Sequence, residues 1–83
     1  MSRTIRTDGP IPVYVQIADY IAADIKAGRI KPGYAIPSET SMVQEFGVAR
    51  DTARRAVQHL RDQGLVRTIP HRGTFVEPVD AAE

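Results

Sequence analysis

Residues 47–64 read Gly-Val-Ala-Arg-Asp-Thr-Ala-Arg-Arg-Ala-Val-Gln-His-Leu-Arg-Asp-Gln-Gly, with glycine at either end and a helical period between. Ala53, Ala56, Val57 and Leu60 recur at i, i+3, i+4 and i+7, the spacing that lines up apolar side chains on one stripe of a helix. That stripe is expected to face a core. At about 100° per residue, Arg50, Asp51, Arg54, Arg55 and Gln58 fall on the opposite side, so three guanidinium groups crowd the start of a helix over 50–63. Such a face is either a solvated surface or a surface that reads nucleic acid, and its neighbours decide between the two.

Upstream, Ser38 follows Pro37 and is placed to cap a short helix through Glu45, to which Met42, Val43 and Phe46 give a small apolar face. Gly47 stops it. Helix, glycine turn and helix therefore follow one another within 27 residues counted from Ser38 to Gly64. Downstream, Leu65-Val66-Arg67-Thr68-Ile69 and Thr74-Phe75-Val76 are rich in β-formers and flank Pro70-His71-Arg72-Gly73, which predicts a hairpin with a basic tip. Further back, Ile17, Ile21 and Ile25 with Ala18 and Ala22 trace a first amphipathic helix over Val13–Ala27, with Gln16, Asp19 and Lys26 nearer solvent, while Tyr14, Tyr20, Tyr34, Phe46 and Phe75 are expected to be core or half-buried. A connector with Pro32-Gly33 and Pro37 joins it to the second helix, leaving Tyr34-Ala35-Ile36 as a bridge or tiny strand. Residues 1–11 show no period and read as a flexible arm, on which Arg3 and Arg6 are incidental charge before they are groove contacts; residues 78–83 read as a frayed acidic tail. The fold expected over 12–77 is α+β, mainly α: three helices and a C-terminal hairpin, the outline of a winged helix-turn-helix.

An 83-residue chain with 42% apolar and 25% charged content supports one modest core. Without cysteine there is no disulfide or thiolate site, and His59 and His71 lack carboxylates at ligand spacing, so neither a metal nor a cofactor is expected. Glu39 and Glu45 flank the second helix without a pocket for paired acid-base work, and no catalytic residue is proposed. No apolar run is long enough to span a membrane, and Met-Ser-Arg-Thr-Ile-Arg has no signal-peptide centre; the chain is expected in the cytoplasm. The net charge of +1 conceals an uneven distribution. Residues 49–72 carry Arg50, Arg54, Arg55, Arg61, Arg67 and Arg72 against Asp51 and Asp62, a net +4, and phosphate is the usual partner of such a patch.

Laid end to end, these motifs resemble the DNA-binding domain of the GntR (gluconate-repressor-type) regulators. The resemblance rests on Pro12-Val13-Tyr14-Val15-Gln16-Ile17, on Gly28 to Glu39 with Pro32-Gly33 and Pro37-Ser38-Glu39, and on Phe46-Gly47-Val48. It continues through Arg50, Thr52, Arg54, Ala56, Leu60, Gly64-Leu65-Val66 and Gly73-Thr74-Phe75-Val76. Three positions depart from that pattern. Ala49 stands where a capping Ser or Thr is usual, Thr40 where many members have Arg, and His71 where the wing tip often has Gly.

The resemblance implies a sequence-specific duplex-DNA-binding regulator, a repressor, acting as two copies on an inverted-repeat operator. Arg50 and Arg54 take the positions used for the major groove and Thr52 lies near the backbone. Each arginine can fork onto guanine or bridge phosphates. Asp51 either accepts from a cytosine amino group or is a helix-start charge favoured by the dipole. His71, Arg72 and Gly73 form a slender tip for the minor groove or backbone over 70–73, while Ser38, Thr40 and Ala49 complete the candidate contact set. The competing reading is a winged helix used for protein interaction, which calls for an exposed apolar patch in place of Arg50 and Arg54. The apolar stripes are about what one core consumes, so a free dimer is expected to be weak or absent.

Overall fold

The computed structural model describes residues 4–77. Helices α1 (Val13–Lys26), α2 (Glu39–Phe46) and α3 (Arg50–Asp62) precede strands β1 (Val66–Ile69) and β2 (Gly73–Val76), the order expected from the sequence. Ile17, Ala18, Ile21 and Ala22 of α1 and Ala53, Ala56, Val57 and Leu60 of α3 are buried, so the two stripes read from the sequence meet face to face. Alanine at 18, 53 and 56 keeps side-chain bulk out of that contact, and fully buried Ile17, Ile21 and Leu60 contribute about 2 kcal/mol each.

The helix-turn-helix is built by local chemistry. Ser38 has extended backbone and its Oγ accepts the Ser41 amide at 3.0 Å, capping α2, while Met42 is buried beneath. At the other end Gly47 takes φ 68°, ψ 36°, a left-handed conformation that costs glycine little, and its amide closes on the Val43 carbonyl. Three residues later α3 begins, and α2 packs against it.

β1 and β2 pair antiparallel in the register Val66↔Val76 to Ile69↔Gly73, with Val66 and Val76 closing the core. The connector pairs with the free edge of β2 through a single bridge. Ala35 bridges Phe75, the Ile36 amide donates to the Thr74 carbonyl at 3.0 Å, and the Val76 amide donates to the Tyr34 carbonyl at 2.9 Å. Because Ile36 leads through Pro37 into the α2 cap, the same hydrogen bonds fix the wing against the start of α2.

Three expectations are corrected. Instead of an arm hanging free over 1–11, its described part folds back on α1: the Arg6 amide donates to Gln16 Oε1 at 2.8 Å, Gln16 Nε2 donates to the Arg6 and Ile11 carbonyls, and Tyr20 Oη donates to the Thr4 carbonyl. Ile5 packs on the core beside them, so Gln16 is half-buried by the arm rather than turned to solvent, and Tyr20 is half-buried as expected. Tyr34, taken as core or half-buried with the other aromatics, is 64% exposed, since only its backbone is used by the wing. Arg3 and the tail over 78–83 lie outside the described residues.

Candidate nucleic-acid interface

α3 presents its charged side at its first turns. Arg50, Asp51, Arg54 and Arg55 are exposed, and Thr52 is half-buried. Ala49 holds the extended N-cap conformation, φ −69°, ψ 154°, with no side-chain hydrogen bond to the amides that follow. The positive end of the helix therefore lacks a side-chain cap on the same first turns that carry its arginines.

The wing tip is placed on the same side of the molecule. His71 adopts φ 66°, the left-handed turn geometry that glycine often supplies, and the Arg72 amide closes the turn on the Ile69 carbonyl at 3.0 Å. An open cavity of about 410 Å³ is lined jointly by Ser38, Glu39, Thr40, Arg50, Arg72 and Gly73, among others. Candidates from the cap of α2, the start of α3 and the wing thus converge. Asp51 and Thr52 do not join them; they line a separate cleft with Pro12, Val13, Tyr14 and Arg55, toward the start of α1. His71 lines neither. Ser38 is engaged as a cap, accepting from the Ser41 amide and donating to Ser41 Oγ at 3.1 Å, so its hydroxyl has local work to do.

Ion pairs order the basic face. Glu39 Oε1 lies 3.6 Å from Arg50 Nη1 and Glu39 Oε2 lies 3.8 Å from Arg54 Nε, while Arg50 Nη2 donates to Thr40 Oγ1 at 3.3 Å. Asp51 approaches Arg54 at 3.8 Å and Arg55 at 3.5 Å, along its own helix. Such exposed pairs contribute about 1 kcal/mol at most and are easily exchanged for other partners. In the sequence Glu39 shows only as an acid flanking the second helix. Its distance in sequence from Arg50 and Arg54 hides the pairing, which exists because the turn at Gly47 folds α2 onto α3. Among the described residues no group of His, Asp or Glu is arranged to hold a metal ion, and no helix is long and apolar enough to cross a membrane.

Residues 13–76 match the model of the family described as bacterial regulatory proteins, gntR family. The chain belongs to that family. Among gntR relatives it is 39% identical over 72 residues to the HTH-type transcriptional repressor NagR of Bacillus subtilis (strain 168), covering 87% of this chain and 30% of NagR. It is 44% identical over 69 residues to MngR, the mannosyl-D-glycerate transport/metabolism system repressor of Escherichia coli (strain K12), covering 83% of this chain and 29% of MngR. The chain thus spans under a third of the length of these curated relatives. In three dimensions it resembles the AraR DNA-binding domain crystallised with operator ORX1, with a TM-score of 0.80, 36% identity, and coverage of 92% of this chain and 98% of that one. The winged helix-turn-helix of the gntR regulators is therefore the fold of this chain, in a family of regulators rather than enzymes.

Proposed function

We propose that this chain is a sequence-specific duplex-DNA-binding unit of a bacterial transcriptional repressor, working in the cytoplasm. One observation carries the reading: Arg50 at the start of α3 and Arg72 at the basic tip of the wing line one open cavity, beside a helix end whose dipole favours anions. In this reading Arg50 and Arg54 enter the major groove and contact base edges, Thr52 and Thr40 lie along the backbone, and His71, Arg72 and Gly73 follow the minor groove or the adjacent phosphates. Asp51, which is paired with Arg54 and Arg55, steers those side chains at the helix start. Ser38 and Ala49 set the two helix starts. The similarity to NagR and MngR, both repressors by name, and to a domain crystallised on operator DNA supports the reading. A protein-docking wing would need apolar side chains where the exposed Arg50 and Arg54 stand.

The test is a binding titration on a duplex selected from random sequence and on unselected duplex. Arg50→Ala and Arg54→Ala should each keep the thermal transition of the wild type and lose about 1–3 kcal/mol on the selected duplex, the scale of a bidentate base contact. Wild-type affinity should fall steeply as salt rises, because phosphate contacts release counterions. Wild-type binding by both variants would place the reading face elsewhere.

A further inference from the structure

We infer that Glu39 is a positioning residue for sequence discrimination: one carboxylate sets the spacing of Arg50 and Arg54 and penalises binding that does not engage both. The inference rests on the DNA reading proposed above. Arg50 and Arg54 are one helical turn apart on α3, and two like charges at that spacing repel. Without Glu39, Arg50 would keep its bond to Thr40 and Arg54 its pair with Asp51 on the same helix, contacts that do not join the two side chains to each other. Glu39, from the first turn of α2, gives one oxygen to each, Oε1 to Arg50 at 3.6 Å and Oε2 to Arg54 at 3.8 Å. The separation of the two guanidinium groups is then tied to the span of a single carboxylate.

Glu39 is itself held. Its side chain is only 33% exposed, against 57% and 62% for the two arginines, and it follows the Ser38 cap directly. Thr40 Oγ1 accepts from a second nitrogen of Arg50, fixing the plane of that guanidinium. The contacts are long enough to be exchanged when base edges arrive, so they order the arginines without locking them.

Glu39 also lines the cavity shared with Arg72 and Thr74, the space a phosphate backbone would approach. There its charge opposes any duplex. At a matched site two bidentate base contacts offset that repulsion, and at an unmatched site nothing does. Discrimination therefore comes from the acid as much as from the bases, and Glu39 acts through Arg50 and Arg54 rather than on the DNA.

Glu39→Gln and Glu39→Asp separate these effects. The amide removes the charge; the aspartate keeps the charge and the favourable helix-start position but is too short to reach both arginines. Glu39→Gln should bind random duplex roughly threefold more tightly, the scale of one exposed charge interaction, with operator affinity no better and the operator-to-random ratio reduced. Glu39→Asp should leave random-duplex affinity near wild type and still lower the ratio. Without DNA, the Nε order parameter of Arg54 should drop in both variants while that of Arg55 stays put, a readout that simple destabilisation would not give. With Arg50 and Arg54 both replaced by alanine, Glu39→Gln should no longer alter the ratio. An unchanged ratio in the single variants overturns the inference, as does an equal loss in the arginine-free background, which would make Glu39 a direct base contact. A wild-type chain with no preference for operator over random duplex sinks the DNA reading itself, and that result appears before any Glu39 variant is measured.

Discussion

Ala49 shows how much one side chain can leave undone at the start of α3. Its backbone has the extended geometry of an N-cap, yet a methyl group cannot accept the amides of Asp51 or Thr52. Ala49→Ser should therefore stabilise the domain by about 1 kcal/mol, read as a rise of roughly 4–8 °C in Tm for a domain of this size. Ala49→Asp should stabilise it comparably but weaken operator and random duplex alike, since it adds a carboxylate where a phosphate is expected. No gain in Tm from either variant, measured by thermal unfolding, would mean the first amides of α3 are already satisfied. The contrast between Ser38 and Glu39 explains what single residues reveal in a sequence. Ser38 caps through an amide three residues away, so its role is written locally. Glu39 pairs with arginines across a turn, Gln16 clasps Arg6 ten residues back, and buried Asp24 meets Arg29 at 2.8 Å as the chain leaves α1. Those pairings depend on which faces are brought together, and no spacing rule announces them.

The elements that decide the fold were legible because each is bounded by its own chemistry: α3 by its apolar stripe between Gly47 and Gly64, and the wing by two β-rich runs around a turn. What periodicity could not give is how the wing is aimed. Two sets of bonds do this, the backbone pairing of Tyr34-Ala35-Ile36 with β2 and a side-chain chain on the outer face. In the latter, Arg61 of α3 donates to Gln58 Oε1 and to Thr68 Oγ1, the second at 2.8 Å, and Thr68 shares a 3.1 Å hydrogen bond with Thr74 across the hairpin. α3 thus also ties down the wing through Arg61 and Thr68, while Arg72 stays exposed at the tip. In the proposed reading, where Arg72 follows the phosphate backbone, Arg72→Ala should weaken operator and random duplex about equally and flatten the salt dependence by about one phosphate contact. Loss confined to the operator, with the salt slope unchanged, would instead make Arg72 a base reader.

At the scale of the molecule, the core leaves little apolar surface for self-association. Ile11, Tyr34 and Ile69 are the large exposed hydrophobics among the described residues, at 51%, 64% and 36%. They are dispersed: Ile69 sits at the tip end of β1, Tyr34 beside Val76 at the base of the wing, and Ile11 ahead of α1. A stable dimer buries roughly 1,200–2,000 Å² in total with an apolar centre, and three scattered side chains do not supply one. The 83-residue chain is therefore expected to be mainly monomeric in free solution. On DNA the proposed reading leads to a different expectation, because a domain that reads a half-site with one helix and one wing gains from a second half-site related by two-fold symmetry. An inverted repeat holds two copies side by side, and at that effective concentration even a small contact between them becomes productive. Sedimentation of the free chain, with stoichiometry on full and half operators, addresses both statements. A tight dimer without DNA would contradict the first. One chain per duplex, with equal affinity for half and full sites, would contradict the second, whereas two chains binding the full site more tightly than twice-counted half-sites would show that the DNA supplies the organisation the free surface lacks.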